Sequence, residues 1–305
     1  MTFLKPMVIF FFLFILFLLL TQPSSTLTYA SYGLTIWYKS MLPALFPMMI
    51  ITGCMIKLNI TTQFSALIHP IAKPLFHLSK NGTYALFTGF LCGFPMGAKV
   101  ICDLYSREKI SKKEANALLP ICNNIGPIFM LSYGLKQFSS YNLVFSLALF
   151  YAIPLLYAFF IFRKKSYSEI TFYTEKKVPF SLALDESIAE GATGMLSLAG
   201  YLMFFNILLL IPMEILPVNN YIKSFLCCFL EITNGLSYTS VLPPYFYFAL
   251  LQFGGLCCIF QTSKYMCKTD LDFKNYLLHK LNLTLLTFII FFVYDCVYVY
   301  VVLNV

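Results

Sequence analysis

Four clusters of polar and glycine residues interrupt the apolar stretches of this sequence, and any chemistry the chain performs belongs to them. The costliest is Glu231-Ile232-Thr233-Asn234-Gly235, whose carboxylate directly follows Phe225 to Leu230. An ionisable group in such surroundings is retained for a purpose more often than not, usually with a partner or a proton. Lys99 is one candidate partner, protonation is another resolution, and a purely structural hydrogen bond is the plain alternative. Glu231 and Asn234 are three apart, so they share a face if this stretch is helical. Thr233 lies between them.

The second cluster is Gly93-Phe94-Pro95-Met96-Gly97-Ala98-Lys99. Gly93 and Gly97 are four apart, which lets another backbone approach one helix face. Pro95 breaks the hydrogen-bond ladder and leaves carbonyls and amides in need of partners. A helix restarting near Gly97 would aim its first amides into the protein, where they favour an anionic group. A tight turn between packed helices is the other reading. The third cluster, Asn123-Asn124-Ile125-Gly126-Pro127, puts two adjacent carboxamides in an apolar span. Both cannot face one neighbouring helix, so one of them lines the break; simple cross-linking of helices is the alternative. The fourth is Gln252-Phe253-Gly254-Gly255, with Gln261 two turns later. Paired glycines can unwind a span and expose carbonyls, which only a protein-lined cavity tolerates at membrane depth.

These clusters need elements to hold them, and composition says what kind. Apolar residues make up 59% of the chain and charged residues 11%, with 33 Phe and 21 Tyr among 305 positions. A soluble protein of this length would lack a polar shell, whereas a bilayer-embedded one needs none. The ten cysteines sit mostly in apolar runs, form no CxxC pair, and meet only His69, His77 and His279. They read as small hydrophobes, not as a disulfide or zinc framework.

A spanning helix requires about 20 mostly apolar residues. Met7 to Leu20 forms the first run, read as an uncleaved anchor because no small-x-small cleavage site follows closely. Tyr29 to Ser40 resembles an interfacial helix and leads through Pro43 into a span from Met41 to Met55. Residues 59–80, with Pro70 and Pro74, are placed along the membrane surface. Two interrupted runs follow, Thr83 to Val100 and Ala115 to Leu135, separated by the charged stretch Asp103 to Glu114. Tyr141 to Phe162 is an ordinary span, and Arg163 to Lys177 is a basic linker.

The second half repeats this layout. Leu182 to Glu190 is amphipathic, with Asp185 and Glu190 read as surface residues, and Met195 to Met213 spans. Tyr221 to Leu242 is interrupted at Gly235, Tyr245 to Met266 at Gly254-Gly255, and Leu281 to Val302 closes the chain. If the first interrupted segment of each half enters and leaves on one side, each half crosses an odd number of times. The halves are then inverted, and matched broken segments in two halves point to a transporter-type site. The expected fold is therefore an all-α polytopic membrane protein. It comprises an anchor (1–27), a first repeat (28–162), a cytoplasmic basic linker (163–178) and a second repeat (179–305). Each repeat carries a re-entrant hairpin and a broken helix.

With the N-terminus in the cytoplasm, every Lys and Arg except Lys39, Lys136 and Lys223 falls inside, Lys280 among them as a loop residue. The net charge of +8 then reflects attraction to anionic inner-leaflet lipid and calls for no nucleic acid.

Taken in order, Gly93 to Lys99, Asn123 to Phe129, Phe229 to Gly235 and Phe253 to Leu256 with Gln261 resemble the YlbJ family of sporulation integral membrane proteins. Trp37 to Pro47 and Asp272-Phe273-Lys274 extend the resemblance over nearly the whole chain. The family carries a gate, or nucleoside-recognition, domain. Similar domains occur in spore maturation proteins, concentrative nucleoside transporters and the ferrous iron transport protein B. The resemblance implies a role in endospore formation, in the cortex or in heat resistance, at the mother-cell or forespore membrane. It brings no substrate: sodium-coupled nucleoside motifs are not matched residue for residue, and no nucleotide-binding loop is present.

The leading expectation is a permease or gate for a small polar solute or ion. Its site would draw on Gly93, Pro95, Gly97, Lys99, Asn123, Asn124, Gly126, Glu231, Thr233, Asn234, Gly254, Gly255 and Gln261. A non-transporting membrane assembly factor for sporulation is the alternative. An enzyme is not expected, since no HExxH motif occurs and Ser237 near Glu231 is the nearest approach to a nucleophile–base pair. No cofactor or metal is expected. The expected partners are membrane lipid, the solute, and further copies of the chain or other sporulation membrane proteins.

Overall fold

The structure, a computed structural model, describes residues 4–131, 143–162, 167, 170, 178–237 and 242–303, and is helical throughout with no strand among them. Most of the basic linker 163–178, and the stretch 132–142 that contains Lys136, lie outside the described residues. Oil accepts only backbone whose polar groups bond internally, which is why these apolar runs become helices. α1 (Leu4–Thr21) turns bare apolar side chains outward, with Phe10 71% and Leu20 82% exposed. Among the described residues, five helical segments are long and apolar enough to cross a membrane: Pro23–Lys57, Val144–Phe162, Phe180–Ile215, Pro244–Met266 and Phe273–Val297.

The first of these corrects the sequence reading. Residues expected as an interfacial helix and a separate span form one continuous helical segment, α2 (Pro23–Ile36), a π-helical turn (Trp37–Met41) and α3 (Leu42–Lys57). The expected boundary between residues 27 and 28 falls inside α2. Thr26, Tyr29 and Gly33 of α2 are buried against protein, while Tyr32 stays exposed. A Cβ on Gly33 would lie 2.7 Å from the Leu202 carbonyl oxygen, and Trp37 Nε1 donates to the Met195 carbonyl at 2.8 Å. Both acceptors belong to α11 (Phe180–Leu208), which likewise absorbs the expected amphipathic and spanning pieces into one helix and runs on to a π turn at Ile211–Ile215. Each π turn has a proline close by, Pro43 or Pro212. Proline lacks the amide for the regular ladder and crowds the preceding turn, which a wider turn relieves.

Lys57, buried at the end of α3, fastens the two long helices by reaching Glu190 at 2.8 Å and Glu186 at 3.2 Å. Glu190 is therefore half-exposed yet paired, not a free surface residue.

Two short helices, α4 (Thr61–Ser65) and α5 (His69–Phe76), lead to α6 (Lys80–Cys92). α6 and α7 (Met96–Ser106) then pack against one another across a break at Gly93 to Pro95. α8 (Lys112–Cys122) starts beside the start of α6. Ser79 and Ser111 cap the two helices, accepting from Gly82 N at 3.0 Å and Glu114 N at 3.2 Å. The Glu114 carboxylate does not close its own capping box; it accepts from Ser79 N at 2.9 Å and Ser79 Oγ at 3.0 Å. Glu114 precedes the apolar run, and burial raises its carboxyl to about 7 against the opposing pull of the Ser79 bonds.

α8 is followed by a break at Asn123 to Gly126, a single turn α9 (Pro127–Phe129), and α10 (Leu143–Phe162). Beyond α11 come α12 (Asn220–Leu230), α13 (Ile232–Gly235), α14 (Pro244–Phe253), α15 (Gly255–Met266) and α16 (Phe273–Leu303). The helix interruption expected at Gly235 falls at Glu231, whose backbone is extended (φ −142°, ψ 112°). Gly235 serves a different end. A Cβ there would lie 2.7 Å from Cys228 Cα, so its lack of a side chain lets α13 fold back onto α12. α16 also begins eight residues before the expected span, at Phe273.

Candidate functional site

The four helix interruptions meet in the interior. Gly93 adopts φ +72°, open to glycine and strained for other residues. Its bare Cα lies against the second break: a Cβ would be 2.7 Å from Gly126 Cα and 2.9 Å from the Asn124 carbonyl oxygen. Phe94 N donates to that same carbonyl at 2.7 Å, tying one break to the other. One turn on, a Cβ on Gly97 would lie 2.7 Å from the Cys122 carbonyl carbon. The other pair of breaks meets similarly. Gly255 (φ +77°) faces Cys228 O, with Ile232 N and Leu230 O close by, while Gly254 (φ +84°) receives the Phe94 ring.

A helix end leaves its last carbonyls without intrahelical partners, and buried carbonyls must find others. At and just beyond the end of α8, four carbonyls find such partners. Ile121 O accepts from Asn124 Nδ2, Asn123 O from Lys280 Nζ at 2.7 Å, Asn124 O from Phe94 N, and Ile125 O from the Tyr151 hydroxyl at 2.9 Å. The two carboxamides diverge, as adjacency requires. Asn123 Nδ2 donates to Thr262 Oγ1 at 2.5 Å and the Tyr276 hydroxyl at 3.0 Å, while Asn124 Oδ1 accepts from Gln252 Nε2 and Lys280 Nζ, both at 2.8 Å. Asn123 and Asn124 thus join α8 to α14, α15 and α16 instead of lining open space.

Glu231 is 1% exposed and acts as the N-cap of α13. Its Oε1 accepts from Thr233 N at 3.0 Å and Thr233 Oγ1 at 2.5 Å, and its Oε2 accepts from Asn234 N at 2.7 Å. Asn234 Nδ2 continues the network to Asn206 Oδ1 on α11 at 2.7 Å. Two expectations fail here. Lys99 is not the partner of Glu231: its Nζ lies 2.5 Å from Asp103 Oδ2, one turn along α7, where a nearer carboxylate is available. The first amides of α7 do not face an anion either, since Met96 N and Gly97 N donate to Gly93 O at 2.8 and 3.2 Å. Pro95, in a cis peptide with Phe94, is the N-cap position of α7.

Beside this junction lies a cavity of about 510 Å³. Three of the four interruptions reach it, through Phe94, Gly126 and Glu231, and α3, α11 and α15 complete its wall with Ala44, Leu198 and Cys258. Among its lining residues Glu231, Thr233, Gln261, Lys39 and Ser40 are polar and the rest predominantly apolar. That mixture, a mostly apolar concavity with a few convergent polar groups, typifies small-molecule sites. Of the residues singled out in the sequence, Gly126, Glu231, Thr233 and Gln261 line it. Gly93, Pro95, Gly97, Gly254 and Gly255 shape the breaks behind it, and Asn123, Asn124 and Asn234 hold them.

Lys280 was missed. It is fully buried on α16, where the sequence suggested a loop. The signal was present: Tyr276, Lys280, Leu283, Thr287 and Phe291 recur at helical spacing, and all are buried.

No protein-family model matches the chain, and no solved structure matches it. Among curated proteins it is similar to the sporulation integral membrane protein YlbJ of Bacillus subtilis (strain 168), with 29% identity over 120 residues, or 39% of this chain. The match spans 29% of that relative's length. Together with five helices of spanning length, this similarity identifies an integral membrane protein.

Proposed function

We propose that the chain is a gate or permease for a small polar solute or ion that serves spore formation, including the cortex. The observation that carries this reading is the cavity. It sits where interrupted helices converge, and it holds a carboxylate at a depth where one is rarely kept without use.

The reading includes an inverted repeat. α2 to α10 and α11 to α16 each present a long helix with a π turn, a short hairpin, a broken helix and a span. α6, α7 and α12 have 13, 11 and 11 residues. At about 1.5 Å per residue none covers a hydrocarbon core of about 30 Å, which favours re-entrant hairpins over crossings. The Gly93 contact with the α8–α9 break and the Gly255 contact with the α12–α13 break are the matching junctions of the two halves. Positive-inside bias favours a cytoplasmic N-terminus. The sporulation role is supported by the similarity to a sporulation integral membrane protein and by the family resemblance, with the mother-cell or forespore membrane as the location.

Filling the cavity tests this. Ala44→Trp, produced in a spore-forming host lacking its own copy, should reach the membrane in normal amount and fail to support heat-resistant spores. Normal heat resistance from a cavity-filled protein would shift the reading to a non-transporting assembly factor.

A further inference from the structure

Lys280 has no place in the cavity, yet it is the most demanding side chain in the interior. Its ammonium donates to Asn123 O at 2.7 Å and Asn124 Oδ1 at 2.8 Å, and lies 4.6 Å from the centroid of the Phe94 ring. No carboxylate among the described residues pairs with it. A buried lysine without a counter-charge stays protonated only where negative ends of dipoles converge on it. Three converge here. Asn123 O lies at the C-cap, the negative end of α8. Asn124 supplies a carboxamide oxygen, and Phe94 supplies the negative face of its ring.

Neutral oxygens that replace a hydration shell, with no carboxylate, suit a monovalent cation. Asn123 Oδ1 and Gln252 Oε1, buried on the same residues that build the network, have no hydrogen-bond partner. We infer that the break between α8 and α9 is a monovalent-cation site that the chain fills from within, the Lys280 ammonium standing where a free alkali or ammonium ion would otherwise bind. This inference is independent of any movement of solute through the cavity. Its consequence is that α16 is locked to the break, and that this position is closed to a coupling ion.

The test uses the full chain purified in detergent and melted in choline, sodium, potassium or ammonium chloride at equal ionic strength. The wild type should melt at the same temperature in all four. Lys280→Ala should melt lower in choline, on the order of 5 °C, and regain at least half of that, saturably, with one of the three small cations. Lys280→Met, which fills the space with a thioether, should stay low in every salt. Lys280→Ala protein indifferent to all three cations would overturn the inference, as would a wild type that is itself saturably stabilised by one of them. Where Lys280→Ala does not fold, Asn124 decides. Asn124→Asp gives the ammonium a counter-charge and should melt above Asn124→Ala; melting below it would mean that no cation is seated there.

Discussion

Gly93→Ala should remove most of the protein from the membrane, while Gly200→Ala should leave its abundance unchanged. Two penalties combine at Gly93. A backbone at φ +72°, ψ −161° is nearly closed to L-residues, costing about 1–3 kcal/mol. The added methyl would also collide with Gly126 N and press on Gly126 Cα and Asn124 O, backbone atoms that no rotamer change can move away. Relief would require parting the two breaks and losing the Phe94 N to Asn124 O bond, at a further cost of about 1–3 kcal/mol for a buried group left unmade. The sum, about 2–6 kcal/mol, is a large fraction of the about 5–15 kcal/mol that holds a typical domain together. Gly200 meets nothing within 4 Å, so a methyl there costs little. Membrane abundance and detergent melting of the two variants give the comparison, and equal behaviour would mean the breaks do not touch.

Glu231→Gln should be the next most damaging change, although it alters hardly any volume. The carboxylate accepts on both oxygens, from two donors on Thr233 and one on Asn234. A carboxamide can accept on one side only, so its NH₂ would face either Asn234 N–H or the Thr233 donors. At least one buried donor is left opposed, at a cost of about 1–3 kcal/mol, and α13 loses one side of its cap. Thr233→Val removes a single hydroxyl donor and should lower the melting temperature less. The order wild type, Thr233→Val, Glu231→Gln in falling stability follows from this geometry; a Glu231→Gln protein as stable as wild type would contradict it.

Much of this junction was legible in the sequence because breaks in apolar helices are conspicuous. Gly93 and Pro95, Asn123 to Gly126, and Gly254-Gly255 all lie where the helices are interrupted. They are the residue types that oil would otherwise exclude from a span. The fourth interruption was located four residues late, at Gly235, because glycine is the commoner signal. Here a carboxylate capping a new helix ends the old one. The extents of the long helices were also hidden. The stretch bearing Tyr29, Gly33 and Trp37 has the composition of an interface, but Gly33 and Trp37 meet α11 and Tyr29 is buried, and composition does not distinguish a protein neighbour from a headgroup. The burial of Lys280 was harder to read, despite its helical spacing, for a related reason. A lysine just before an apolar run reads as a loop charge, and only the partners contributed by α8 and by Phe94, more than 150 positions away, make its burial tolerable.

The central claim is that a water-reached cavity, mostly apolar but with a few convergent polar groups, lies at membrane depth beside the Glu231 cap. Thr233, on its wall, offers the most direct probe. Thr233→Cys would be placed in a background where Cys92 and Cys258, which also line the cavity, and the exposed Cys267 and Cys296 are replaced. Intact membranes are then treated with a small, charged, water-soluble methanethiosulfonate. Thr233→Cys should react in the folded protein, and Ala44→Trp in the same chain should slow the reaction. A thiol at position 233 that stays unmodified in intact membranes, yet reacts fully once the protein is denatured, would contradict the account.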